Sequence, residues 1–298
     1  MSSIPSSVTI VEVGPRDGLQ NEATTLSTDD KVTFVNRLSA SGLREIEVTA
    51  FVSPKWVPSM ADADEVVGRM DRRPGVRYSA LVPNIAGLER AIAAGVTNVA
   101  VFAAASETFS RKNINRSIDE SFESYAEVTA AAIAAGLRVR GYLSTAFGCP
   151  YEGAVPVGQV ALLTARLLDL GVYEVAVSDT IGVAHPGQVR AMLPQLLTTT
   201  PVTRLALHFH DTRGMALANV LAALDFGIAT FDASAGGLGG CPYAPGASGN
   251  LPTEDLLYML DGLGIDTGVR IDQVADAARA IAPRLSHPLA SRYTQVGK

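Results

Sequence analysis

Two of the chain's four histidines stand two apart, in Leu207-His208-Phe209-His210-Asp211. In an extended segment such residues point to the same side, so His208 and His210 can face one ion from a single strand. The competing reading makes one a hydrogen-bonded interior residue and leaves the other exposed. Asp17, in Gly14-Pro15-Arg16-Asp17-Gly18, and Asn250, in Ala247-Ser248-Gly249-Asn250, are each ordinary turn formers when taken singly. Joined to two imidazoles, they make a mixed donor set that suits octahedral Mg²⁺ or Mn²⁺ with positions left for substrate. A structural zinc site would want more sulfur, and Cys241 is its only local source. A divalent ion with open positions binds a substrate hydroxyl and carbonyl together and acts as a Lewis acid.

Other reactive types cluster near these positions. Arg16 cannot lose its proton; it is either a surface ion-pair partner or a fixed cation over a developing enolate or carboxylate. Glu47, in Glu45-Ile46-Glu47-Val48, alternates with apolar residues, so one set faces a barrel interior and the other its helices. If it lies near the ion's seat, it is placed to orient a ligand histidine. Asp179, in Ser178-Asp179-Thr180, is either catalytic or a helix cap. The segment Gly236-Gly237-Leu238-Gly239-Gly240-Cys241-Pro242-Tyr243 reads as a mobile loop, costly to order unless closure is useful. Cys241 is therefore expected to be a reactive group on a lid, whereas Cys149 is expected to pack.

These residues need a scaffold, and the spacing of apolar runs supplies one. Strand patterns occur at Val8–Val13, Arg44–Thr49, Val76–Val82, Asn98–Ala103, Leu137–Ser144, Tyr173–Ser178, Thr203–His208 and Ala229–Ser234. Helical patterns alternate with them, at Asp29–Ser41, Ala61–Met70, Ile85–Ala94, Ile118–Ala135, Val157–Leu170, Gln188–Leu197, Met215–Phe226 and Glu254–Gly262. Gly42, Gly95, Gly136, Gly171 and Gly227 each follow a helical run directly, where a left-handed residue ends a helix. Eight such repeats predict an α/β fold, a (β/α)₈ TIM barrel, over residues 1–298. A doubly wound sheet would want a glycine-rich phosphate turn after the first strand, and residues 14–18 do not provide it. Residues 266–298 are expected to add C-terminal helices, packed outside the barrel or at a contact between copies of the chain in a dimer or tetramer. In a barrel, active groups lie at the C-terminal ends of strands; Asp17, His208, His210, Asn250 and Asp179 all fall there.

Composition limits the partners. With 47% hydrophobic and 18% charged residues, a net charge of −6 and no basic stretch, the chain has no electrostatic footprint for nucleic acid. No run of apolar residues is long enough to span a membrane. Two cysteines, and no apolar or Arg-rich N-terminal stretch, fit a cytoplasmic protein with free thiols.

The motifs carry a specific likeness. Glu12-Val13-Gly14-Pro15-Arg16-Asp17-Gly18-Leu19-Gln20-Asn21-Glu22, Phe51-Val52-Ser53-Pro54-Lys55-Trp56-Val57-Pro58, Lys112-Asn113-Ile114-Asn115, Gly148-Cys149-Pro150-Tyr151-Glu152-Gly153, Asp179-Thr180-Ile181-Gly182 and the Cys241 loop with Asn250 resemble the hydroxymethylglutaryl-CoA lyase family. The resemblance runs from about Val8 to Gly268. It implies that Asp17, His208, His210 and Asn250 are metal ligands, that Arg16 and Cys241 are catalytic with His208, Asp179 and Glu47 as further candidates, and that Arg16 and Gln20 bind substrate. The implied partner is an acyl-CoA thioester, cleaved to acetyl-CoA and acetoacetate, in leucine catabolism as the family's usual setting. Arg213-Gly214-Met215 stands where animal members carry Tyr-Gly-Gln, and Val48 and Ala50 replace Thr and Ser. These departures keep open a related 3-hydroxy-3-methyl acyl-CoA substrate such as citramalyl-CoA. A TIM-barrel metal hydrolase is the rival from another class, but it would need more histidines than His185 and His287 are placed to supply.

Overall fold

The protein is described here from a computed structural model covering residues 4–239 and 249–296. Eight parallel strands close into a barrel in chain order: β1 (Thr9–Glu12), β2 (Glu45–Ala50), β3 (Arg77–Leu81), β4 (Asn98–Ala104), β5 (Arg138–Ser144), β6 (Val175–Asp179), β7 (Leu205–Phe209) and β8 (Thr230–Ala233). The helices are α1 (Thr28–Ala40), α2 (Ala63–Arg69), α3 (Ile85–Ala93), α4 (Glu107–Ile114), α5 (Ile118–Ala134), α6 (Val157–Asp169), α7 (Pro186–Leu196), α8 (Ala216–Leu224), α9 (Thr253–Gly262), α10 (Ile271–Ile281) and α11 (Arg292–Gln295). The expected (β/α)₈ barrel is therefore present, with element ends shifted by one or two residues. Its apolar core lies between strands and helices, where Phe34, Leu38, Ile46, Leu143, Leu163 and Phe231 are fully buried.

Local signals explain the boundaries. The five glycines expected to end helices all take positive φ, Gly42 at 98° and Gly95 at 79° among them. A capping box starts α5: the Ser117 hydroxyl accepts from Glu120 N, and the Glu120 carboxylate accepts from Ser117 N at 2.7 Å. Helix α4 has no counterpart in the apolar periodicity, because only Phe109 and Ser110 of its eight residues are buried. It is bounded instead by polar signals, the Ser106 hydroxyl at its start and Asn115 in the left-handed region at its end. Helix α10 lies against α1 and α9, and the Ser291 hydroxyl and the backbone N–H groups of Arg292 and Tyr293 bind Asp255 at the start of α9. Among the described residues, no helix is long and apolar enough to cross a membrane.

Candidate metal centre

The mouth of the barrel is assembled from β1, β7 and β8. After β1 the chain winds a tight turn over Gly14–Gly18, in which Asp17 N donates to Val13 O at 2.7 Å. The buried Glu12 carboxylate braces that turn. It accepts from Gly14 N at 2.8 Å, from Ala235 N at 2.9 Å and from the Thr253 hydroxyl at 2.7 Å, tying the β1 turn to the segment after β8. His208 lies in β7 and His210 just beyond it. There Leu251 N donates to Phe209 O and Asp211 N to Gly249 O, which sets Asn250 beside His210. Gly239, at φ 98°, passes so close that a Cβ there would sit 2.7 Å from Asn250 Nδ2.

Asp17, His208 and His210 bring ligand atoms within 4.8 Å of one another. His208 Nε2 is 3.9 Å and His210 Nε2 is 4.0 Å from Asp17 Oδ2. Adjacent donors on an octahedral ion with bonds of about 2.1 Å lie about 3 Å apart, so the three side chains converge on one point and need close by only about 1 Å to hold an ion. Asn250 Nδ2 donates to Asp17 Oδ2 at 2.9 Å and to Leu238 O at 3.1 Å. Its Oδ1 is buried with no hydrogen-bond partner among the described residues, an orphan acceptor on the amide that meets Asp17. Protonation also suits a cation. Burial raises the Asp17 carboxyl, but Arg16, His208, His210 and the Asn250 hydrogen bond together hold it down at about 2. Burial and the neighbouring His208 push His210 down to about 3, so its imidazole is neutral. Burial lowers His208 as well, yet the hydrogen bond to Asp232 together with the charges of Asp232 and Asp17 leaves the ring above its ordinary value.

Arg16 is buried beside this set. Its Nη1 donates to Asp17 Oδ1 at 2.7 Å and its Nε to Glu47 Oε2 at 2.5 Å. The guanidinium also lies 5.4 Å from the centre of the Tyr142 ring. The expectation for Glu47 needs correction: its carboxylate meets Arg16 and the Tyr142 hydroxyl, not a histidine. The histidine's carboxylate is Asp232 of β8, 3.2 Å from His208 Nδ1. Glu47 is fully buried, and the arginine of the β1 turn and the tyrosine of β5 take up its carboxylate.

Asp179 closes β6 and is buried. Burial raises its carboxyl to about 6, despite backbone donors Ala184 N and Val183 N at 2.9 Å each. It thus closes the turn ahead of α7, whose N-cap residue is His185. Gln20 follows the Asp17 turn, and its Oε1 is buried without a hydrogen-bond partner among the described residues. Cys241 lies outside the described residues. Cys149 is a buried free thiol, accepting from the Ser106 hydroxyl at 2.9 Å. Of the departing positions, Val48 and Ala50 are buried in β2, and Arg213 donates to the carbonyls of Ile181 and Gly182.

Sequence reasoning missed Asp232, Arg140 and Tyr142. Arg140 and Tyr142 are two apart in β5 and share its inner face. Arg140 Nη2 donates to Asp232 Oδ1 at 2.8 Å, and its Nη1 to the Tyr142 hydroxyl at 3.0 Å. The available signal was an ionisable residue inside a short apolar strand, as in Phe231-Asp232-Ala233.

Known proteins resemble this chain over nearly its whole length. The HMGL-like family matches residues 7–281. Hydroxymethylglutaryl-CoA lyase of Bacillus subtilis is 52% identical, across 99% of this chain and 98% of that protein. The crystal structure of hydroxymethylglutaryl-CoA lyase from Pseudomonas aeruginosa, 51% identical, superposes with a TM-score of 0.96 over 98% of this chain and 97% of that one. An HMG-CoA lyase from Acinetobacter baumannii, in complex with coenzyme A and 3-methylmalate, is 38% identical with a TM-score of 0.94, over 100% of this chain and 97% of its own. A match of that length and closeness, on a barrel whose mouth gathers Asp17, His208 and His210, settles the lineage: the chain belongs to the HMGL-like family.

Proposed function

We propose that this carbon–carbon lyase cleaves 3-hydroxy-3-methylglutaryl-CoA to acetyl-CoA and acetoacetate, using Mg²⁺ or Mn²⁺ held by Asp17, His208, His210 and Asn250. The observation that carries the reading is the convergence of the Asp17 carboxylate and two imidazoles beside a buried arginine, with the Asn250 amide hydrogen-bonded to Asp17. The likeness to lyases named for this thioester, one of them in complex with coenzyme A, supports the acyl-CoA substrate. A divalent ion held by Asp17, His208, His210 and Asn250 would supply Lewis-acid chemistry at the substrate's oxygens.

The chain's own groups do the rest. Loss of the C3 hydroxyl proton and cleavage of the C2–C3 bond release the enolate of acetyl-CoA. The hydroxyl proton passes toward the end of β6, where Asp179 stands; a carboxyl near 6 is a serviceable base close to neutral pH. Arg16, fixed by Glu47 and Asp17, holds the enolate oxygen with a charge that needs no reorganisation. Cys241 returns a proton to the enolate carbon, which requires the thiol to stay protonated. The free thiol of Cys149 fits a reducing compartment, and we place the protein in the cytoplasm.

The test is turnover of the glutaryl thioester after EDTA treatment and after restoring Mg²⁺ or Mn²⁺. Acetoacetate is expected only with the ion. Cleavage of citramalyl-CoA in place of the glutaryl thioester would reassign the acyl group and leave the chemistry standing.

A further inference from the structure

His208 and His210 enter the site on equal terms by spacing, but the barrel treats them differently. His208 and Asp232 are register partners on β7 and β8, and both turn inward. His208 Nδ1 lies 3.2 Å from Asp232 Oδ2. The other oxygen, Oδ1, accepts from Arg140 Nη2 at 2.8 Å, while Arg140 Nε donates to Glu174 Oε1 at 2.9 Å. Asp232 and Arg140 are 1% and 2% exposed, so water does not compete for these bonds. His210 has no such support: its Nδ1 is buried with no hydrogen-bond partner among the described residues.

We propose that Asp232, held in place by Arg140, is the positioning residue that keeps the His208 proton on Nδ1 and so leaves Nε2 free to bind the divalent ion. The inference rests on the metal reading for its purpose, though not for its geometry. An ionised carboxylate only accepts hydrogen bonds, and Arg140 always donates. The Asp232 oxygen facing the imidazole therefore requires N–H at Nδ1. The remaining lone pair is then on Nε2, the atom 3.9 Å from Asp17 Oδ2. Ligand histidines gain orientation and basicity from a carboxylate behind them. The same arginine also reaches the other half of the site. Its Nη1 donates to the Tyr142 hydroxyl, which donates to Glu47, the partner of Arg16. One buried cation thus braces both the ion's seat and the catalytic arginine.

Asp232→Asn tests this without changing side-chain shape. Arg140 keeps the amide oxygen as its acceptor, so the amide N–H₂ faces His208 Nδ1 and drives the proton to Nε2, the wrong end for a ligand. Mn²⁺ alone is titrated into wild type and Asp232→Asn, with the fold checked by circular dichroism. The variant's Kd is expected to rise about 10- to 100-fold. In parallel, ¹⁵N spectra of the metal-free proteins, in alkaline buffer where the rings are neutral and with His208→Gln for assignment, are expected to show the Nδ1–H tautomer in wild type and Nε2–H in the variant. Equal Mn²⁺ affinity in wild type and a folded variant would overturn the proposal. So would an Nε2–H tautomer of His208 in wild type, a result that stands even if the variant does not fold. Failure of wild type to bind Mn²⁺ would sink the metal reading instead, and the wild-type tautomer would still decide the role of Asp232.

Discussion

Replacing Glu254 by Gln should remove a penalty that this fold carries at alkaline pH. Glu254 is fully buried at the start of α9, and both its oxygens accept from Gly236 N at 2.9 Å. Burial, with the nearby Glu12 and Asp255 adding repulsion, raises its carboxyl from 4.5 to about 8. The folded protein therefore holds a proton that the unfolded chain has already lost between those two values. Stability from this group falls as pH rises across that window and changes no further beyond it. At about 1.4 kcal/mol per pKa unit, the shift amounts to a loss on the order of 3–5 kcal/mol. At roughly 2–4 °C per kcal/mol for a domain near this size, the melting temperature should drop on the order of 10 °C. Glu254→Gln cannot ionise, so its melting temperature relative to wild type should climb by that amount from about pH 5 to about pH 9. Thermal melts of both proteins in EDTA keep ion binding out of the comparison. Parallel curves across the whole range would refute the reasoning, because Glu254 would then ionise alike in the folded and unfolded chains.

Two further outcomes follow from the site. Arg16→Lys keeps the charge but not the fork that engages Glu47 and Asp17 together; kcat should fall about 10²- to 10³-fold with an unchanged circular dichroism spectrum. Cys241→Ala should bind Mn²⁺ like wild type and lose about 10²-fold or more in turnover. A fully active variant, measured by acetoacetate release, would remove Cys241 from the chemistry.

What the sequence determined by itself was local or periodic. Alternation of short β-branched runs with helical ones is written residue by residue, and the glycines after α1, α3, α5, α6 and α8 mark helix ends through a backbone angle that needs no distant partner. The His208–His210 pair was legible because two-residue spacing in a strand fixes a common side. Asp17 and Asn250 were legible as donors once their motifs were set beside a known family, since each alone reads as a turn former. The closed barrel decided the rest. Arg140 meets Asp232 from 92 positions away, and Asn250 meets Asp17 from 233 away. Such meetings depend on strand register and on which inner faces oppose each other across the barrel, and neither is encoded in the residues flanking either partner. That is why the alternation around Glu47 left open which face of β2 it takes, and why the partner it meets, Arg16, was not named. It is also why Asp232, the carboxylate that stands behind His208, was visible only after β7 and β8 were side by side.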